Sequence, residues 1–233
     1  SVWLLRRLQP VELSEKPDPI YQSDTWRKGV IPLALISGLH LINNYADLII
    51  LGIFRSDEEV GIYRAVVEIS LLVIFGLKAL NAVLQPHFAR LYALREKEKL
   101  QRLVTNSARV IVAIAIPVVL IFVFQGDEFL TFFFGEPYRS GAAALAILAL
   151  GQLVNAAMGS VGVLLNMTGH EQVVLWSVGI AAICNVILNI FFIPSFGSEG
   201  AALATAVSLA VWNLLLWNAV RKYLKINSTA FKI

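Results

Sequence analysis

Charge is scarce in this sequence. Of its 233 residues only 15% are Asp, Glu, Lys or Arg, where an ordinary soluble domain carries about 25%. Cysteine is scarcer still: Cys184 stands alone inside an apolar run, so there is no disulfide framework and no inference about redox compartment. The three histidines, His40, His87 and His170, give no helix two metal ligands one turn apart, and no metal site is expected. Also missing are an Asp-x-Asp pair, a phosphate-cradling Gly-x4-Gly-Lys loop and a His-x4-Asp pair. No hydrophilic segment is long enough for a catalytic domain. The chain is therefore read as a non-enzyme without catalytic residues.

What is abundant is apolar sequence, 58% of the chain, gathered into blocks. A helix needs about 20 apolar residues to cross roughly 30 Å of hydrocarbon. Six blocks qualify: 30–54, 61–84, 104–124, 142–165, 173–193 and 201–220. Runs such as "VIVAIAIPVVLIFVF" (110–124) and "AAALAILALG" (142–151) do not alternate, which excludes barrel strands. The expected fold is an all-α integral membrane bundle of six transmembrane helices.

Fifteen of the nineteen basic residues fall on one side of a six-span arrangement. They occupy the N-terminal tail (Arg6, Arg7, Lys16, Arg27, Lys28), the connection around 90–109 and the C-terminal tail (Arg221, Lys222, Lys225, Lys232). The opposite connections, "RSDEEVG" (55–61), "QGDEFLTFFFGEPYRSG" (125–141) and "PSFGSEG" (194–200), are acidic or neutral apart from Arg55 and Arg139. Cytoplasmic loops retain Lys and Arg, so both termini are expected in the cytoplasm of a multi-pass protein of the cytoplasmic (inner) membrane. Residues 1–25 read as a basic cytoplasmic linker, 26–225 as the six-span lobe and 226–233 as a cytoplasmic tail. Trp26 at the first entrance, and Trp217 and Tyr223 at the last exit, suit the headgroup level. Nothing points to nucleic acid. The opening "VWLLRRL" (2–8) reads as the end of an earlier helix, and hence as part of a larger protein.

The polar residues inside the spans carry the functional signal. At about 100 degrees per residue, His40, Asn43, Asn44 and Asp47 share one arc of the first span, joined by Ser37, while Leu41, Leu48, Ile49 and Ile53 take other faces. Ionisable groups in a membrane helix face the bundle interior or a wet cavity, so Asp47 is expected to line water or meet a partner. On the second span Arg64 and Glu68 are one turn apart and can pair; Lys78 returns to that face deeper in, with Gln85 two turns beyond. These eight residues are the candidate cavity. His40 itself reads as a hydrogen-bonded interior histidine. Pro86 is expected to end the second span and Pro117 to interrupt the third. Gly151, Asn155 and Gly159 form a small-residue packing seam, and Asn185 with Asn189 can bond a neighbouring helix.

These segments resemble a known family in order along the chain. "DLIILGIFRSDEEVGIYRAVVEIS" (47–70) resembles the seventh-to-eighth helix segment of polysaccharide flippases, with Leu-Gly, a short outer loop and Glu-Val-Gly-x-Tyr. "LQPHFARLYA" (84–93) is similar to the following helix end. "FFFGEPYRSGAAALAILALGQLVNA" (132–156) resembles the family's Phe-Gly-x-x-Tyr entry. "NMTGHEQ" and "NVILNIFFIPSFGSEGAALATAVS" (185–208) resemble its Asn-rich helix and Ile-Pro-x-x-Gly-x-x-Gly-Ala-Ala loop. The resemblance is to the polysaccharide-transport branch of the multidrug/oligosaccharidyl-lipid/polysaccharide flippase superfamily, including O-antigen (lipopolysaccharide) and exopolysaccharide flippases. Such proteins have two six-helix lobes, and this chain resembles the C-terminal one.

The resemblance implies translocation of a polyprenyl-pyrophosphate-linked oligosaccharide across the membrane for cell-surface polysaccharide synthesis. It implies as partners membrane lipid, a missing N-terminal lobe or second copy, and polysaccharide polymerase and glycosyltransferases. No cofactor is expected beyond a coupling proton or sodium ion. Three other readings share these features: a cation-coupled multidrug antiporter, a peptidoglycan-precursor flippase, and a non-transporting membrane scaffold for polymer assembly.

Overall fold

A backbone in hydrocarbon must satisfy its own hydrogen bonds, and a helix does so within one segment. In the computed structural model, which describes residues 23–230 and their side chains from residue 30 except Pro32, the apolar blocks are helices and no strand forms among the described residues. The expectations for residues 1–22, for the side chain of Trp26 and for the last three residues lie outside those described.

The order is α1 (Ser23–Phe54), α2 (Asp57–Ser70), a 3-10 turn (Leu71–Ile74), α3 (Phe75–Ala93), α4 (Lys97–Phe124), α5 (Gly126–Phe134), a 3-10 segment (Glu136–Gly141), α6 (Ala142–Met158), α7 (Val161–Met167) and α8 (Glu171–Ala219). A π-helical turn, Val220–Leu224, follows. Ser56 caps α2 by accepting from the Glu59 amide at 3.4 Å, and Asp57, Glu58 and Glu59 occupy its first turn, where carboxylates favour the helix dipole.

Among the described residues five helical stretches, not six, are long and apolar enough to cross a membrane. The difference lies in α8, which runs through both the fifth and the sixth expected spans. It does not run straight. Gly197 inside it has φ 55° and ψ −132°, and Asn185 Nδ2 donates to Ser208 Oγ at 3.0 Å. At 1.5 Å per residue a straight helix would hold those residues about 34 Å apart, so the chain doubles back at Gly197.

Three further boundaries differ from expectation. The fourth span stops at Met158 rather than reaching 165, because Gly159 adopts φ 72° and α7 starts in a new direction. Pro86 does not end the second span, and Pro117 does not break the third. Each proline sits inside a continuous helix, α3 or α4, since a proline removes one i→i−4 bond and a packed membrane helix tolerates that loss. The seam holds in part: Gly151 brings α6 so close to α8 that a Cβ there would lie 2.9 Å from Ala206.

The connections sort to two ends. At one, Arg55 Nη2 donates to Pro194 O at 3.1 Å, and Glu59 Oε1 accepts from the Ser198 amide at 2.8 Å. Arg139 there meets Asp127 at 3.3 Å. At the other, Gln101 Nε2 donates to Asn227 O at 2.6 Å, and the Ala230 amide donates to Ala157 O at 3.2 Å. The expected tail therefore packs against the bundle as far as Ala230.

Two apolar cores follow this division, one around Leu51, Tyr63, Leu145 and Ile193, the other around Phe88, Leu100, Leu164 and Leu216. The outward faces are apolar as well: Phe132 is 82% and Trp176 74% exposed. Contiguous exposed surface of that kind belongs against lipid. The chain is a multi-pass, helical membrane protein.

Candidate functional site

Between the two cores lies a cavity of about 450 Å³. Helices α1, α2, α3, α6, α7 and α8 wall it, and their polar stripes face it because they cannot face lipid. From α1 come His40, Asn43, Asn44 and Asp47. From α2 and α3 come Arg64, Glu68 and Lys78. Seven of the eight candidate residues thus line one space, although they are spread over almost forty residues of sequence. Gln85 does not line it. Ser37 turns its hydroxyl back to Leu33 O at 3.0 Å and is likewise absent from the wall.

Asp47 has a partner, but not a cation. It is 2% exposed and accepts from Tyr63 Oη at 2.9 Å, from Thr205 Oγ1 at 3.3 Å and from the Leu48 amide at 2.8 Å. The second span supplies this partner, and the group is a phenol rather than an amine or guanidinium. A phenol satisfies the carboxylate with one short bond and adds no further charge to desolvate.

This carboxylate starts a chain of hydrogen bonds. Thr205 accepts from Asn185 Nδ2 at 3.3 Å, and Asn185 Oδ1 accepts from Asn189 Nδ2 at 2.9 Å. The expected bonding to a neighbouring helix is present for Asn185, across the α8 hairpin, while Asn189 bonds Asn185 on its own helix. Buried networks of this type fix one arrangement of their helices when every member is satisfied. Asn189 Oδ1 is the one buried carboxamide oxygen of this pair that has no partner.

The cations are free. The expected Arg64–Glu68 pair is not formed: the ion pairs among the described residues are Lys99–Glu96, Arg139–Asp127 and Arg139–Glu136. Arg64, Glu68 and Lys78 are all exposed to the cavity side, where water screening removes the advantage of holding two long side chains together. His40 also departs from expectation. It packs edge-on against Trp212, ring centroids 5.1 Å apart, instead of accepting a hydrogen bond.

Sequence reasoning missed other residues of the wall. Asn81, Asn155, Asn166, Ser160 and Trp212 all line the cavity. Asn81 was within reach of it, three residues beyond Lys78 and so on the same helix face. Thr205, Ser208 and Trp212 recur at helical spacing on the last span and carried the same signal. Ser160 and Asn166 carried none, since the turn at Gly159 places them. Five polar atoms of cavity residues are buried without a hydrogen-bond partner among the described residues: Asn43 Oδ1, Asn81 Oδ1, Asn166 Oδ1, Ser160 Oγ and Trp212 Nε1. Such groups cost about 1–3 kcal/mol each when left unsatisfied, and all five belong to residues around one space.

The chain matches the model of a polysaccharide biosynthesis protein family over residues 29–143. It is 26% identical over 172 residues to a protein of Haloferax volcanii named "Probable low-salt glycan biosynthesis flippase", covering 74% of this chain and 36% of the relative. A second protein of that organism, named "Probable flippase", is 30% identical over 192 residues, 77% of this chain and 38% of the relative. The chain is thus similar to proteins named for polysaccharide biosynthesis and for glycan flipping. A "Capsular polysaccharide biosynthesis protein" of Staphylococcus aureus is 28% identical over 180 residues, 76% of this chain and 45% of the relative. The chain spans less than half the length of these relatives. No solved structure matches it. The family match runs from α1 into the start of α6 and so takes in all eight candidate residues. The wall built by α7 and α8 lies beyond it.

Proposed function

We propose that this chain forms one lobe of a flippase that moves a polyprenyl-pyrophosphate-linked oligosaccharide across the membrane for cell-surface polysaccharide synthesis, and that the cavity receives the sugar-phosphate head. The observation that carries this reading is the pairing of two uncommitted cations, Arg64 and Lys78, with partnerless amide, hydroxyl and indole groups around one space. A pyrophosphate needs charge-assisted donors. A sugar needs side chains that donate and accept, and Asn does both. The lipid tail stays outside, against the apolar faces. A single lobe leaves this cavity open on one side, so the reading requires a second lobe or a second copy. Transport by rocking of one unit against the other follows the logic of repeat-built transporters.

Photo-crosslinking tests the proposal. A photoreactive residue at Asn81 is expected to capture lipid-linked oligosaccharide in membranes, and the same residue at lipid-facing Trp176 is not. Equal capture at both positions defeats the assignment.

We infer further, from the basic bias, that both termini are cytoplasmic. In a Cys184→Ser background, single cysteines at Ser56 and Ser140 should react with an impermeant thiol reagent added outside, and one at Glu98 should not. All three native residues are exposed, so silence reports sidedness rather than burial. Reaction at Glu98 with none at Ser140 inverts the orientation.

A further inference from the structure

At the basic end of the bundle, away from the cavity just described, lies a second one of about 510 Å³. Its floor is apolar: Leu91, Leu100, Leu224 and Ile226 line it, and all but the half-buried Leu91 are buried. Its rim is basic and aromatic, with Arg95 and Lys97 on one side, Tyr92 at the edge, and Tyr223 opposite. Two elements make it. The turn between α3 and α4 supplies one lip, and the π-helical turn with the chain beyond it supplies the other.

We propose that this cavity is a binding site for an anionic glycerophospholipid, the rim cations holding its phosphate and the apolar floor receiving the first part of an acyl chain. Charge complementarity argues for that occupant. Neither Arg95 nor Lys97 has a carboxylate partner among the described residues, since the neighbouring Glu96 is already engaged by Lys99 at 3.0 Å. Lys222 adds a cation 5.3 Å from the Tyr223 ring centroid, and Arg221 sits 4.8 Å from that of Trp217. Basic pockets between membrane helices on the cytoplasmic side recognise acidic headgroups, and Tyr and Trp mark the headgroup depth.

The backbone supports the same reading. Among the described residues Arg95 and Lys225 are the two non-glycine positions with positive φ, 57° and 55°. Both are basic, and each adjoins this cavity: Arg95 lines it, and Lys225 lies between Leu224 and Ile226, which do. Each closes a helical segment, where a left-handed residue is a common stop, so the two helix ends bring their basic residues to the same cavity. A soluble anion would use the rim and leave the apolar floor empty. A neutral lipid would use the floor and leave two cations unanswered.

The test is native mass spectrometry of the chain released from micelles doped with equal amounts of phosphatidylglycerol and phosphatidylcholine. Phosphatidylglycerol is expected to be retained about tenfold more often, and Arg95→Gln with Lys97→Gln should bring that ratio close to unity. The charge-preserving pair Arg95→Lys with Lys97→Arg should keep it, which separates charge from folding. Excess inorganic phosphate should leave the ratio unchanged. Equal retention of the two lipids by the unaltered chain overturns the proposal, as does a preference that survives loss of both charges or that free phosphate abolishes.

Discussion

Replacing Lys78 and Arg64 together with alanine is expected to abolish surface polysaccharide export while leaving the protein's abundance in the membrane nearly unchanged. Both cations line the cavity and neither is paired with a carboxylate among the described residues. Removing them therefore strands no buried charge, the event that costs about 3–5 kcal/mol when a buried pair is broken. Their contribution is to the ligand. A hydrogen bond to a charged group contributes about 1.5–3 kcal/mol, so losing two weakens the hold on a pyrophosphate by roughly a hundredfold or more. Export and abundance would be measured in cells whose sole copy carries the substitutions. Export that persists removes this face from the substrate path. Export that falls only in step with abundance gives the cations a structural role instead.

The second large effect should come from the α8 reversal. Gly197 holds a backbone conformation (φ 55°, ψ −132°) that only glycine adopts without strain, at a cost of about 1–3 kcal/mol for another residue. A Cβ there would also strike the Glu59 carboxylate, which accepts from the Ser198 amide. Gly200 is tighter. A Cβ at that position would lie 2.5 Å from the Phe192 carbonyl oxygen and 2.6 Å from its carbon, and backbone cannot move aside as a flexible side chain can. Gly200→Ala should therefore open the hairpin and separate Asn185 from Thr205 and Ser208, releasing one side of the network that holds Asp47. We expect a several-fold fall in abundance, in line with losses of about 1–2 kcal/mol or more, and a lower midpoint of thermal unfolding in detergent. Gly61→Ala is the control, because a Cβ there meets nothing within 4 Å and alanine favours a helix. Equal behaviour of the two variants would show that the reversal does not depend on the close approach.

Much of this protein was legible in the sequence because membrane burial is a one-dimensional constraint. Apolar blocks of spanning length, without alternation, can only be helices, so class and approximate spans follow from counting. The polar stripe of α1 was legible for the same reason: at helical spacing His40, Asn43, Asn44 and Asp47 must share a face, and lipid forbids that face to point outward. Arg64, Glu68 and Lys78 followed by the same argument on the second span. Gln85 did not, because sequence spacing fixes a direction around one helix but not how far along it a cavity extends. Pro86 misled for a related reason, since its cost is a single hydrogen bond when the helix on either side is packed.

What only the tertiary structure decided is who meets whom. That Asp47 is answered by Tyr63 and Thr205, not by a cation, depends on α1, α2 and α8 converging, and Thr205 is 158 residues away from Asp47. That α8 doubles back depends on the φ of Gly197 and on the close approach of Gly200 to Phe192. Composition and periodicity act within a segment and determined the helices, their polar faces and the direction of the charge bias. Partner choice, the wall formed by α7 and the basic lipid-sized cleft arise from contacts between segments, where close packing selects among many arrangements that the same helices allow.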